Sequence, residues 1–503
     1  ESYELYVNGR KARSHAATFS WPQRIDISEF VQRGSNTVVV MTRQDGVRRP
    51  WSDSPVWEDN AETGITRPVH VEFTGGVFVK ELAHGCRLVP GKDGKNTKIL
   101  DVRVLVRNGR SEAVEAVLTG NPGASWSDFP ATKVSLAPRS EKWVTFSHPC
   151  DSVPFWSPDK PTLVKMVVRI TVGGKVTDAL SQRYGFREFK AVGHRFYLNG
   201  RPYMNKRSTW NAGGGKLCTD KESYFRQFAR FRERGIHSFR VFGGDVPRMC
   251  EAADEYGMLI TPVAHAGCGA AWRTDRFWPL YENQLCEMAR ALRHHPSVIY
   301  WNVSNEFGSI YGGDEGGPRE KQTTARQVAA AKKMLAVDPT RLWEACGEVE
   351  LGYPIKGSDG PAPIRSYHYP VGYSDDGNEL PNAVYWYANG KVPWQGIATK
   401  TKPASLSEDL YHGSYDCPLG FTKWFGEDVF SFERYQKMSM DFVRLVYGGL
   451  CYSGVGTWEP WAIGTQEDSA TFRKYGTPFP DFLITLLEFP MNLRAGERAE
   501  RTV

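Results

Sequence analysis

The sequence predicts a multidomain chain, two β-sandwiches followed by a (β/α)8 barrel, and three observations carry that expectation. Up to about residue 190, short alternating or β-branched runs are separated by Gly- and Asn-containing turns. After about residue 191 the apolar period lengthens to that of amphipathic helices, which alternate with short branched strands. Eight strand candidates then fall within about 310 residues, the pattern of a parallel barrel rather than a sandwich. A doubly wound sheet is the alternative.

Taken in order, residues 1–74 carry strand patterns at 3–7, 24–27, 37–41 and 69–73, punctuated by Asn8-Gly9, Gly34-Ser35 and Gly64. Residues 75–190 continue with strands at 77–82, 99–106, 113–118, 133–136, 142–146 and 163–172, and with turns at GKDGKN, RNGRS and VGGK. In residues 191–503, a helix over 222–234 lines up Tyr224, Phe225, Phe228 and Phe231, with Thr219 or Asp220 as its cap. Further helices are expected over 323–337 and 432–447. The eight strands are 203–208, 238–242, 259–263, 298–303, 342–345, 364–369, 404–407 and 454–458, and most of 357–400 reads as loop.

Composition narrows the function. The 63 basic residues outnumber 57 acidic ones, for a net charge of +6, but they never form a run of five. That favours solubility over a nucleic-acid partner. No run of 18 apolar residues exists, so no membrane-spanning helix is expected. The nine cysteines show no CxxC spacing, so a zinc site is not expected and the thiols read as mostly free; separately, the expected chemistry needs no cofactor. The 16 Trp and 22 Tyr suit a carbohydrate substrate, though β-rich domains are aromatic in any case. The first residues look like the middle of a strand, so the chain is expected to start late; compartment cannot be read, and homo-oligomerisation is left open.

Barrel active sites lie at the C-terminal ends of strands. Strand four, SVIYWNVSNEFG, ends at Asn305-Glu306, and strand seven, KPASLSEDLYHG, ends at Glu408-Asp409. Hydrolysis of a glycosidic bond with retention needs two carboxyl groups about 5–5.5 Å apart, one giving a proton while the other attacks. Either Glu alone could cap a helix or pair with an Arg. The two together, with Trp301, Asn302, Asn305, His368, Tyr369 and Trp458 on strand ends, point to catalysis.

These stretches also resemble a known family. HHPSVIYWNVSNE (294–306) is similar to the acid/base signature of glycoside hydrolase family 2. RFYLNGRPYMNKRSTW resembles the start of that family's barrel, and RERGIHSFRVFGGDVPRMCEAADEYGMLI its second strand, helix and third strand. DISEFVQRGSNTVVV and ETGITRPV resemble its jelly roll, and WSPDKPTL and YGFREF the end of its immunoglobulin-like domain. The resemblance implies a partial jelly roll over 1–74, about half of one being absent before residue 1, an immunoglobulin-like sandwich over 75–190, and a catalytic barrel over 191–503.

By position, the resemblance makes Glu306 the acid/base and Glu408 the nucleophile, with Arg240 holding Glu408 ionised. Asn305 would bond the sugar 2-hydroxyl or the neighbourhood of the nucleophile, Tyr369 would donate to Glu408, and Trp458 would floor the sugar site. Two features depart from the pattern: Asp409 follows the nucleophile where the family has Gly or Tyr, and Glu427 in KWFGEDVF is a rival nucleophile. Trp301, His265, His368 and His412 are further substrate-contact candidates, whereas Glu459 reads as a structural ion pair. The expected activity is that of a retaining exo-β-glycosidase on β-galactosides, exo because long loops after strands three, six and seven would close one end of the pocket. Alternatives are a β-glucuronidase, a β-mannosidase or exo-β-glucosaminidase, or a catalytically silent relative. A metal-dependent barrel hydrolase is disfavoured, because only His265 and His368 stand at strand ends.

Overall fold

A computed structural model of the chain describes residues 2–16, 21–43, 65, 67–92, 94–211, 218, 220–264, 275, 277–306, 318–346, 360–368, 401–409, 437, 440, 444, 447, 448, 450, 451, 454–460, 474, 476 and 479. The chain is multidomain and β-rich. It divides into two compact units, one of residues 1–188, 265–296 and 329–340, the other of residues 189–264, 297–328 and 341–503.

In the first unit, β1 (Ser2–Val7), β2 (Arg10–Ala16) and β3 (Val38–Arg43) form an antiparallel sheet in the order β2-β1-β3. Asn8 and Gly9 join the first two strands at φ 52° and 77°, the left-handed pair that a tight hairpin requires. Two further sheets hold the main core. One is β4 (Val77–Pro90), β5 (Asn96–Asn108) and β8 (Glu141–Pro149), in the order β4-β5-β8. The other contains β6 (Val114–Asn121), β7 (Thr132–Leu136), β9 (Val164–Val172) and β10 (Lys175–Tyr184), in the order β10-β9-β6-β7. Alternate residues of each strand face inward: Val102, Val104 and Val106 of β5 meet Ala116, Leu118, Met166, Val168 and Ile170 in one buried cluster. A Cβ on Gly185 would stand 2.6 Å from the buried Trp156, so only glycine lets this strand end approach the indole.

The second unit opens with an antiparallel meander, β11 (Phe189–Val192), β12 (Arg195–Leu198) and β13 (Arg201–Tyr203). Eight parallel strands follow: β14 (Asn205–Asn211), β15 (Ser238–Phe242), β16 (Leu259–Pro262), β17 (Tyr300–Asn305), β18 (Leu342–Cys346), β19 (Arg365–His368), β20 (Ala404–Asp409) and β21 (Thr457–Pro460). Six of them make one sheet in the order β16-β15-β14-β21-β20-β19, and β17 pairs with β18. Parallel bridges Ile260↔Val298 and Val263↔Asn302 link the edge of β16 to the β17 segment. A parallel sheet of this kind is consistent with a (β/α)8 barrel. Its strands are buried along nearly their whole length, as parallel strands between helices are.

Helix α1 (Lys221–Glu233) separates β14 from β15, and α2 (Val246–Tyr256) separates β15 from β16. Asp220 caps α1 in a reciprocal capping box with Ser223, and Tyr224 and Phe228 are its buried stripe. Two more helices follow in sequence, α3 (Phe277–Leu292) and α4 (Pro318–Val337). In the expected helix over 432–447, the described residues 437, 440, 444 and 447 are helical.

Two expected strands are corrected. Segments 24–27 and 69–73 join no sheet among the described residues. Arg24 instead sends its guanidinium to the Val79 and Lys80 carbonyls, and Val69, Val71 and Phe73 stay exposed. Conversely, β2 and β10 form from sequences too polar to announce a strand.

Candidate active site

The parallel strands of the second unit gather a set of buried polar side chains. Arg207 and Thr209 of β14, Arg240 of β15, Glu344 of β18 and Glu459 of β21 are all buried. Ions removed from water must be paired, and these are: Arg207 Nε lies 2.5 Å from Glu459 Oε2 and its Nη1 2.8 Å from Glu344 Oε1. The Tyr300 hydroxyl also accepts from Arg207, at 2.7 Å. Arg240 takes the other Glu459 oxygen at 3.0 Å, and Thr209 donates to that same oxygen. The ion pair expected for Glu459 is therefore present.

Arg240 carries this network to the strand ends. Its Nη2 stands 2.6 Å from Glu408 Oε1, and its Nη1 donates to Asn305 Oδ1 at 2.8 Å. Burial alone would lower the guanidinium pKa, but Cys346, Glu459 and Glu408 outweigh it and hold Arg240 well above its ordinary value.

Strict alternation along a strand would not bring these groups together. Asn302 faces Glu344 on β18, and Asn305, an odd number of residues later, faces Arg240. A register shift between Asn302 and Asn305 resolves this. The same happens on β20, where Ser405 accepts from Arg207 and Glu408 meets Arg240, across shifts against both β19 and β21. Such irregularities re-aim side chains where a ladder ends. Glu306 then follows at φ 52°. A non-glycine residue keeps that left-handed conformation, at a cost on the order of 1–2 kcal/mol, only where its surroundings hold it.

His368, at the end of β19, joins the two carboxylates. Its Nδ1 lies 2.6 Å from Glu306 Oε1 and 3.5 Å from Glu408 Oε2, and its Nε2 lies 3.0 Å from Cys346 Sγ. Burial would push the ring pKa down. Glu408, Cys346 and the hydrogen bond to Glu306 prevail and hold it well above its ordinary value. One donor atom each from Glu306, His368 and Glu408 lies within 4.8 Å of the others. These three are the residues that could share a cation among those described. Positive charge already stands there, in Arg240 and in a ring held toward its imidazolium, so the arrangement suits proton transfer and a paired carboxylate better than metal ligation. Glu306 is the more open carboxylate, with 13% of its side chain accessible against 5% for Glu408.

Of the residues expected from sequence, Glu306, Glu408, Asn305, Arg240 and His368 converge. Trp458 and Trp301 do not. Trp458 alternates with Thr457 and Glu459, so it leaves the polar face and packs fully buried on Tyr447 and Phe479. It cannot floor a sugar site. Trp301 likewise alternates with Tyr300 and Asn302 and lies buried against Arg341. His265, Tyr369, His412 and Glu427 lie outside the described residues. Cys346, Arg207 and Glu344 were not anticipated. Its place directly after the expected fifth strand, 342–345, was the one signal for Cys346.

The family model described as "Glycosyl hydrolases family 2" matches residues 86–187. The chain is 27% identical over 339 residues to an exo-beta-D-glucosaminidase of Streptomyces avermitilis, covering 60% of this chain and 36% of that protein. It is 23% identical over 505 residues to a beta-galactosidase of Pectobacterium atrosepticum, covering 95% and 43% respectively. It thus spans less than half the length of either relative. Among solved structures, a GH2 beta-galacturonidase from Eisenbergiella tayi bound to galacturonate superposes with a TM-score of 0.62 at 20% identity, over 91% of this chain and 78% of that one.

Proposed function

We propose that this chain, whose residues 86–187 match the model of glycosyl hydrolase family 2, is a member of that family and a retaining exo-β-glycosidase, with Glu408 as nucleophile and Glu306 as general acid/base. The observation that carries the reading is the spacing of the two carboxylates. Donor oxygens within 4.8 Å fit the separation of about 5–5.5 Å that retention requires, and leave no room for the water that inversion places between them.

The geometry gives each group a task. Arg240 occupies Glu408 Oε1, which leaves Oε2 to attack the anomeric carbon. As the bond from that carbon to the departing oxygen breaks, Glu306, whose Oε1 is held by His368 Nδ1, delivers to the departing oxygen the proton carried on its other carboxyl oxygen. The product is an ester between the sugar and Glu408. Water then gives its proton back to Glu306 and attacks the anomeric carbon, releasing Glu408 and a sugar of retained configuration. Asn305, fixed by Arg240, is placed to bond a sugar hydroxyl beside the nucleophile.

The parallel strands are read as a (β/α)8 barrel over 191–503, after an immunoglobulin-like sandwich over 75–190 and a partial jelly roll over 1–74. The strand order and the position of β18 against β19 support the barrel. The sugar proposed is a β-galactoside, supported by the long match to a beta-galactosidase. The glucosaminidase and galacturonidase names keep amino sugars and uronides as alternatives.

A panel of nitrophenyl β-glycosides tests the reaction and the sugar together. Turnover on one sugar is expected, with Glu306→Gln slowing hydrolysis on the order of 10²–10⁴-fold. Glu408→Gly abolishes it until azide is added, and Glu427→Gly leaves it largely intact. Sugar binding without turnover anywhere on the panel would instead mark a silent carbohydrate-binding relative.

A further inference from the structure

Glu306 is tied at both ends to one residue of the neighbouring strand. Its amide donates to the Cys346 carbonyl at 2.8 Å. Its carboxylate Oε1 rests 2.6 Å from His368 Nδ1, and the far side of that ring, Nε2, is 3.0 Å from the Cys346 thiol. Cys346 is fully buried, contacts Arg240 Nη1, and pairs with Asn305 across the register shift that ends β17.

With Glu306 as the acid/base, we propose that Cys346 is the positioning residue that sets its aim. The carbonyl of Cys346 fixes a backbone held in the left-handed region, at φ 52°. The thiol fixes the imidazole against which the carboxyl lies. An imidazole has two edges, and one held only at Nδ1 can swing about that bond, taking Glu306 with it. The sulfur at Nε2 removes that freedom, as an outer partner does for any ring nitrogen whose opposite edge works. Arg240 meets the thiol through Nη1 but holds Glu408 through Nη2 and is anchored on Glu459 as well, so the nucleophile keeps its own support when the thiol is removed. A carboxyl that must reach a departing oxygen loses rate steeply when it is displaced.

A leaving-group comparison tests this. The probes are phenyl and dinitrophenyl β-galactosides, or the same aglycones on whichever panel sugar turns over. Phenolate needs a proton to leave, and dinitrophenolate does not. Cys346→Ala is expected to lower kcat/KM for the phenyl substrate about ten-fold or more, while the dinitrophenyl substrate stays within about two-fold, because its departure needs no acid catalysis. Cys346→Val fills the space without a thiol and should show the same split if the alanine variant does not fold. Cys346→Ser keeps a polar partner for Nε2 and should recover most of the phenyl rate. Equal losses on both substrates, or none, would overturn the proposal. Glu306→Gln is the internal reference. If it splits the substrates and neither Cys346→Ala nor Cys346→Val does, the role of Cys346 falls alone. If Glu306→Gln does not split them either, the acid/base reading falls with it.

Discussion

His368 stands between the two carboxylates, and its titration gives a sign that can be checked. As an imidazolium it donates from Nδ1 to Glu306 and from Nε2 to Cys346. Its pKa is raised above the 6.5 of an unperturbed ring. Its contribution to stability is therefore fully present below about pH 6.5 and lost as pH climbs through the higher folded value. Replacing it with glutamine, which keeps hydrogen bonding but cannot be charged, should lower the urea midpoint more at pH 6 than at pH 9. A deficit of equal size at both values would contradict the charged form. At this scale the sequence was informative about convergence where a polar side chain coincides with a strand end, as at Glu306, Glu408, Asn305 and His368, whereas Arg240, in the middle of β15, was marked only by the family resemblance. It was not informative for Trp301 and Trp458, because one strand read alone does not say which of its two faces meets the polar interior. Cys346 was missed for another reason: a buried cysteine looks like any small apolar residue until its neighbours are known.

The elements show how local signals combine. Each of the eight strands expected after residue 191 overlaps one that forms, because short branched runs bounded by turns have few alternatives. Helix α1 follows its aromatic stripe and its Asp220 cap. Strands β2 and β10 escaped notice because they present one polar face and lie at sheet edges. The register shifts that aim Asn305 and Glu408 depend on the neighbouring strands, which no single segment encodes. Helix α2 ends on Gly257 at φ 91°, whose amide bonds the Ala253 carbonyl at 2.8 Å. That left-handed cap delivers the chain into β16. Gly257→Ala should cost about 1 kcal/mol, and Gly257→Asn should restore part of it, read as shifts of the denaturant midpoint. A neutral alanine would show that the cap is not under conformational constraint.

At the scale of the whole molecule, two β-rich compact units hold very different interiors. The core of the first is aliphatic and aromatic, so period-two patterns disclosed it. The second unit buries Arg207, Arg240, Glu344 and Glu459, charges that a hydropathy reading assigns to the surface. Their pairing is what delivers one arginine, already committed to Glu459, to Glu408. The central claim is that Glu408 becomes covalently bonded to the sugar. A β-glycoside fluorinated at the carbon next to the anomeric centre, with a good leaving group, forms that ester quickly and hydrolyses it slowly. After incubation and digestion, mass spectrometry of the peptides should find one sugar attached at Glu408. A sugar found at Glu427, or an unlabelled enzyme that releases product of inverted configuration, would contradict the account.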